Sequence, residues 1–313
     1  MPYESPCPSH PVKIISNWAC ALRLPYFITT LIPCLLAFIL AGKETGIWMW
    51  PEFLSILAGI FSAHAATNLI NDYYDTINGV DNPGSVGGSR VVLDEKLTLA
   101  DLSRGAVFFY LISLAAFIFF AVQTGRWWVM PGWALGFAAS FFYVGPPVAY
   151  GYKGWGEPGV FVSTGWLLLL GTFIALTAKF SITALATASI FGLMSAEILF
   201  FQSLPQIDTD PLHGKKTLAC KLGKAWALKV QSLSWPLIWF GCFMLPAAGL
   251  AGWGSMGAVL AFPAYVLLQR RIKSAASSGN FPVLNSEGHL VKVMFIITSL
   301  ALFAGLIFPW ETA

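Results

Sequence analysis

Residues 51–75 read PEFLSILAGIFSAHAATNLINDYYD. Up to Thr67 the stretch is almost wholly apolar; Asn68, Asn71, Asp72 and Asp75 then follow in quick succession. A bilayer core needs roughly 20 apolar residues in a helix. Residues three and four apart share a helix face, so the four polar side chains project together at the end of such a span. Two carboxylates this close repel unless a cation or protons sit between them. Oxygen-only ligands suit a hard cation such as Mg²⁺, which keeps waters and binds substrate phosphates through one or two carboxylates. The plainer reading is a hydrated helix end, where Asp and Asn are ordinary. Against it, ionisable residues rarely enter spans without a function.

The whole chain fits a membrane setting. Of its 313 residues, 57% are hydrophobic and 11% charged, against about 25% charged in a typical soluble domain. Too little polar surface exists to cover the chain in water, which predicts an all-α polytopic membrane protein. Cys7, Cys20, Cys34, Cys220 and Cys242 are scattered without CxxC spacing and point to neither a disulfide framework nor a zinc site. Residues 1–11 lack a basic segment followed by a short apolar core, so no cleaved signal is expected. Nothing in the charge pattern points to nucleic acid.

Apolar segments lie near 23–42, 51–75, 100–123, 128–144, 157–178, 181–205, 225–250, 253–270 and 290–309, about nine spans. Basic residues choose an orientation. One side holds Lys13, Arg23, Arg90, Lys96, Arg104, Lys153, Lys215, Lys216, Lys221, Lys224, Lys229, Arg270, Arg271, Lys273 and Lys292; the other holds Lys43, Arg126 and Lys179. The positive-inside bias predicts a cytoplasmic N-terminus and cytoplasmic loops after spans 2, 4, 6 and 8. The C-terminal FPWETA would lie outside. The chain is expected to form one transmembrane domain over 1–313, with 1–20 a cytoplasmic or interfacial segment.

Span 6 ends FFQSLPQIDTD. Gln202, Gln206 and Asp210 fall four apart and share a face if the helix continues, which Pro205 opposes. Asp208 and Asp210 form a second carboxylate pair. The following GKKT offers a tight turn at Gly214 and cationic donors at Lys215 and Lys216. A charged cytoplasmic loop is the plain alternative. Two acidic patches ringed by Arg and Lys on one side of a membrane suit a diphosphate, with Arg90, Lys153 or Lys215 donating charge-assisted hydrogen bonds. If the diphosphate departs, neutralising its charge favours the step and leaves a carbocation, which aromatic faces stabilise. Tyr73, Tyr74, Tyr143, Tyr150 and Tyr152 lie near the polar loops.

These motifs resemble the UbiA superfamily of intramembrane prenyltransferases. NDYYD (71–75) matches its first aspartate motif, NDxxD; GVDNPGSVGGSRVV resembles the loop after it, with Arg90 where a basic residue contacts diphosphate. YVGPPVAYGYKGWGE (143–157) looks like the connection between spans 4 and 5, with Tyr143 and Lys153 near the active site. DTDPLHGKKTLACKLG resembles the second motif, and ALRLPYFITTLIPCLLA (21–37) the first helix, including Arg23. The resemblance covers most of 20–225. It implies about nine helices bundled around a central cavity. It also implies Mg²⁺-dependent transfer of a polyprenyl group from its diphosphate to an aromatic acceptor, in an integral membrane protein of the bacterial cytoplasmic membrane.

The implied site comprises Asp72, Asp75, Asp208 and Asp210 as catalytic groups. Asn71 joins them as a metal ligand, and Asn68, Asn71, Arg23, Arg90, Tyr143, Lys153, Gln206 and Lys215 bind substrate. The sequence departs from the family where the earlier aspartate of the second motif is replaced by Gln206. Asp208 is the substitute expected, so Asp208→Ala should abolish activity while Gln206→Ala is milder. The spacing NDYYDxxxGxD, with GKKTL later, looks closer to the 1,4-dihydroxy-2-naphthoate type of menaquinone biosynthesis than to the 4-hydroxybenzoate type. A divalent-cation transporter would use similar carboxylates, but nearer the bilayer midplane on broken helices. A non-catalytic isoprenoid-binding relative is a third reading. His64, one turn before Asn68, lines the acceptor pocket, acts on a proton near neutral pH, or is a hydrogen-bonded histidine between helices. Glu197, inside span 6, is either a functional candidate, the default for an ionisable residue in a span, or pairs with a polar partner between helices.

Overall fold

The computed structural model describes residues 13–85 and 88–308. Every regular element among them is helical. In chain order these are α1 (Lys13–Ala21), a 3-10 turn (Leu24–Phe27), α2 (Ile28–Thr45), α3 (Trp50–Ile77), α4 (Leu99–Thr124) and α5 (Val129–Phe141). After a 3-10 turn (Tyr150–Lys153) come α6 (Gly156–Val160), a π-helical stretch (Phe161–Leu170), α7 (Gly171–Thr177), α8 (Ile182–Ser203) and a 3-10 turn (Asp210–His213). The remainder holds α9 (Leu218–Ala247), a 3-10 segment (Trp253–Ala261), α10 (Phe262–Ser278), a 3-10 segment (Phe281–Glu287) and α11 (Gly288–Ile307).

Six stretches among the described residues are long and apolar enough to cross a membrane: Leu24–Thr45, Trp50–Ile77, Leu99–Thr124, Gly156–Thr177, Ile182–Ser203 and Phe281–Ile307. The other three expected spans fall on α5, on α9 and on Trp253–Ser278. Phe108, Leu111, Phe119 and Val122 stand exposed on α4, and Leu233, Leu237 and Phe240 on α9. A soluble helix would put charge there; helices apolar all round belong in lipid or a core. The expected boundaries need adjustment. α5 has 13 residues and stops at Phe141, because GPP begins four residues on and cannot continue a helix. α9 starts at Leu218 rather than near 225, with a break at Gly223 (φ 71°, ψ 162°). The expected N-terminal segment lies partly, and FPWETA almost wholly, outside the described residues.

The chain divides into two compact units, one from Met1–Leu31 and Trp50–Tyr152, the other from Ile32–Met49 and Lys153–Ala313. In the first, α3 and α4 pack along their lengths. Leu69, Ile70, Leu102 and Ala106 meet Ala21, Val91 and Val144 in one buried cluster, with Trp18, Tyr73 and Tyr152 against it. Thr98 and Asp101 form a reciprocal cap at the start of α4, satisfying donors that a helix end leaves open.

In the second unit α8 packs on the π-helical stretch and on α9. A Cβ on Gly165 would stand 2.5 Å from the carbonyl oxygen of Ala188, so only glycine permits this approach. Glu197, 3% exposed, accepts a hydrogen bond from Gln231 Nε2 of α9, the interhelical partner anticipated for it. Trp239 Nε1 donates to Thr298 Oγ1 of α11 at 3.1 Å. Cys34, Cys220 and Cys242 are free thiols; Cys20 is disulfide-bonded, a pairing its spacing gives no sign of.

Candidate active site

The last turns of α3 carry the first acidic cluster, and a short strap from the N-terminal side holds it. Asn68 Nδ2 donates to the carbonyl oxygen of Leu22 at 2.8 Å. That bond fixes the corner at which Arg23 adopts a left-handed backbone (φ 54°). From there Arg23 Nη2 bonds Asp72 Oδ1, and Ser89 Oγ donates to Asp72 Oδ2. Tyr152 Oη donates to Asp75 Oδ1. The chain then turns back, with the Asp81 amide donating to the Asp75 carbonyl oxygen at 3.0 Å. Asp72, Asp75 and Asp81 are 2%, 4% and 9% exposed. Gly88 (φ 69°) closes against Asp81; a Cβ there would lie 2.7 Å from Oδ2.

Buried carboxylates survive only with compensating charge or donors. Burial opposes the charge on Arg23, but Asp72, and more distantly Asp81 and Asp75, outweigh it and hold the guanidinium firmly protonated. Burial, then the Asp75 carboxylate, pushes the Tyr152 phenol well above its ordinary value, so it remains a donor.

The donor set fits a hard cation. Asn71 Oδ1 is buried and has no hydrogen-bond partner among the described residues, a cost of about 1–3 kcal/mol that a ligand would relieve. Beside it stand Asp72 and Asp75, whose oxygens each keep lone pairs beyond the bonds above. Among the described residues no group of three or more His, Cys, Asp or Glu is arranged to hold a metal unaided. Two carboxylates with an amide and substrate phosphate oxygens match the incomplete protein shell that Mg²⁺ accepts.

Arg90 also has a left-handed backbone (φ 58°); its Nη1 donates to the Ser85 carbonyl oxygen at 3.3 Å, and Nε lies 3.8 Å from Asp94. Tyr143 packs edge-on against Tyr150, centroids 5.4 Å apart. These belong to the first unit. Lys153, Gln206, Asp208, Asp210 and Lys215 belong to the second. There α8 ends at Ser203, ahead of Pro205 as anticipated. Gln206 and Asp210 are joined through backbone, the Asp210 amide donating to the Gln206 carbonyl oxygen at 2.9 Å, and the Lys215 amide donates to that of Asp210 at 3.0 Å. Asp210 is 3% exposed. Asp208 is 59% exposed at its side chain and pairs with Lys224 at 2.8 Å. Lys153 is exposed.

Three contributors were missed from sequence. Asp81 had a signal, the GxD spacing after NDYYD. Ser89 had none, being a serine in a glycine-rich loop. Tyr152 was counted only as an aromatic face, whereas its hydroxyl is what reaches Asp75.

Comparison with known proteins agrees with this architecture. The 1,4-dihydroxy-2-naphthoate octaprenyltransferase of Mycobacterium leprae is 29% identical over 87% of this chain and 92% of that protein. Its namesake from Mycobacterium tuberculosis is 31% identical over 62% of this chain and 67% of that protein. The 2-carboxy-1,4-naphthoquinone phytyltransferase of Synechocystis is 25% identical over 82% of each. A solved structure of digeranylgeranylglyceryl phosphate synthase superimposes with a TM-score of 0.64 at 16% identity, covering 94% of this chain and 99% of that one, a likeness of fold. The sequence pattern of the UbiA prenyltransferase family matches residues 30–285, and the chain belongs to that family, as an integral membrane protein.

Proposed function

We propose that this prenyltransferase moves a polyprenyl group from its diphosphate to an aromatic acceptor, with 1,4-dihydroxy-2-naphthoate as the favoured acceptor and Mg²⁺ as the metal. The observation that carries the reading is the buried, donor-braced pair Asp72 and Asp75 beside the unpartnered Asn71 Oδ1. The names of the relatives favour a naphthoate acceptor. The basic loops favour a cytoplasmic face for the polar site.

Asn71, Asp72 and Asp75 would hold Mg²⁺, which neutralises diphosphate charge when bound and so favours its departure. Arg23 and Ser89 fix Asp72, and Tyr152 fixes Asp75, so the carboxylates need little reorganisation when ligand arrives. Arg90 supplies a planar donor suited to phosphate oxygens. The bond between the allylic carbon and the diphosphate oxygen breaks, with the electron pair leaving on oxygen. An acceptor ring carbon then bonds to the allylic carbon, and the ring loses a proton or its carboxyl group as CO₂.

The test is purified protein with labelled polyprenyl diphosphate, 1,4-dihydroxy-2-naphthoate or 4-hydroxybenzoate, with and without Mg²⁺. Prenylated naphthoate formed only with Mg²⁺ is expected. Product from 4-hydroxybenzoate alone would move the acceptor; no product with any acceptor would sink the reading.

A further inference from the structure

The N-terminal strap grips α3 at more than the acidic cluster. Residues 22–30 run antiparallel to α3, so that Leu22 and Arg23 meet Asn68 and Asp72 while Phe27 and Thr30 meet His64. The Phe27 ring stacks on the His64 imidazole with centroids 4.7 Å apart and planes 6° apart. Phe61 packs edge-on against the same Phe27 at 5.3 Å. Thr30 Oγ1 lies 2.6 Å from His64 Nδ1. One ring face and one ring nitrogen are therefore committed, and the imidazole cannot rotate without breaking both contacts.

The other nitrogen is not committed. Nε2 makes no hydrogen bond among the described residues, and the side chain remains part-exposed although it sits inside a span. An ionisable side chain at that depth needs an explanation beyond packing. His64, Asn68 and Asp72 follow at intervals of four and share one face of α3. The separation of His64 from Asp72 along the helix is ~12 Å. That separation is comparable to the length of an allylic carbon attached to a bound diphosphate plus one acceptor ring.

We propose that His64 is an acceptor-recognition residue: its Nε2 hydrogen-bonds an oxygen substituent of the aromatic acceptor and sets which ring carbon faces the allylic carbon. The assignment rests on the prenyl-transfer reading above. The Thr30 bond makes Nε2 useful in either tautomer. If Thr30 donates to Nδ1, Nε2–H donates to a carboxylate or carbonyl oxygen. If Nδ1–H donates to Thr30, Nε2 accepts from a phenolic hydroxyl. The Phe27–His64 stack extends an aromatic surface beside that atom, suited to a flat ring.

Two amide substitutions separate this role from a structural one, because a glutamine amide reaches toward the Nε2 position and an asparagine amide toward Nδ1. With wild type, His64→Gln, His64→Asn and His64→Phe, the acceptor KM and donor KM are measured separately, with melting temperature as a fold control. The Asn and Phe variants should raise the acceptor KM about tenfold, the usual worth of one hydrogen bond, leaving the donor KM within about twofold; Gln should stay near wild type. Rescue by Asn and not by Gln would assign His64 to the Thr30 bond alone and overturn the proposal. So would three variants with unchanged acceptor KM beside an active wild type. A wild type that converts no aromatic acceptor would instead bring down the prenyl-transfer reading, and this assignment with it.

Discussion

The two acidic clusters look alike in sequence and differ in construction. In the first, both carboxylates of NDYYD are buried and each is fixed by a donor from elsewhere in its unit: Arg23 and Ser89 on Asp72, Tyr152 on Asp75. In the second, QIDTD, Asp210 is the one buried carboxylate, and Asp208 stands in solvent beside Lys224. A buried charge needs its geometry defined by neighbours, whereas an exposed pair is worth little and is easily remade. Aspartates two residues apart thus differ in what they are able to do, and burial separates them where residue type does not.

The largest expected effect is in the first cluster. Asp72→Asn or Asp75→Asn should lower kcat/KM by roughly a thousandfold in a labelled-diphosphate assay; activity within tenfold would dissolve the contrast between clusters. The melting temperature should stay near wild type for Asp75→Asn and fall for Asp72→Asn, which leaves Arg23 without its buried partner. Next comes Asp210→Asn, for which about a hundredfold loss is expected, read in the same assay. If it matched Asp72→Asn, the clusters would be equal partners despite their different surroundings. Tyr152→Phe removes one donor from Asp75 while keeping the ring, so about a tenfold drop at fixed Mg²⁺ is expected, seen as a higher Mg²⁺ concentration for half-maximal rate. The smallest effect belongs to Asp208→Ala, for which the exposed pair with Lys224 predicts less than about threefold change in rate and under about 0.5 kcal/mol in stability. Loss of all activity there would reinstate Asp208 as the replacement for the missing aspartate at Gln206.

Much of this contrast was already legible in sequence. A polar cluster at the end of an apolar run marks itself, because hydrocarbon tolerates little else and helical spacing says which side chains share a face. The span positions followed from the same arithmetic, and an interhelical partner was one of the two readings open for Glu197. The bracing of the first cluster was not legible. Ser89 and Asp81 reach the site through a glycine-rich loop with backbone angles no periodicity encodes, and Tyr152 reaches Asp75 from 77 positions away along the chain. Nor did acidic spacing reveal that Asp208 would face solvent, since no helical phase exists beyond Pro205.

The short α5 has a consequence for the surrounding lipid. A 13-residue helix reaches about 20 Å, against a hydrocarbon thickness of ~30 Å. Past its end the chain carries its own hydrogen-bond partners: the Tyr150 and Gly151 amides donate to the carbonyl oxygens of Phe142 and Tyr143, and Tyr150 Oη donates to that of Ala139 at 2.7 Å. A backbone so satisfied tolerates submersion that an ordinary loop does not. The same corner delivers Tyr152 to Asp75, so changing the acyl-chain length of the surrounding lipid is expected to act on the acidic cluster from outside the protein.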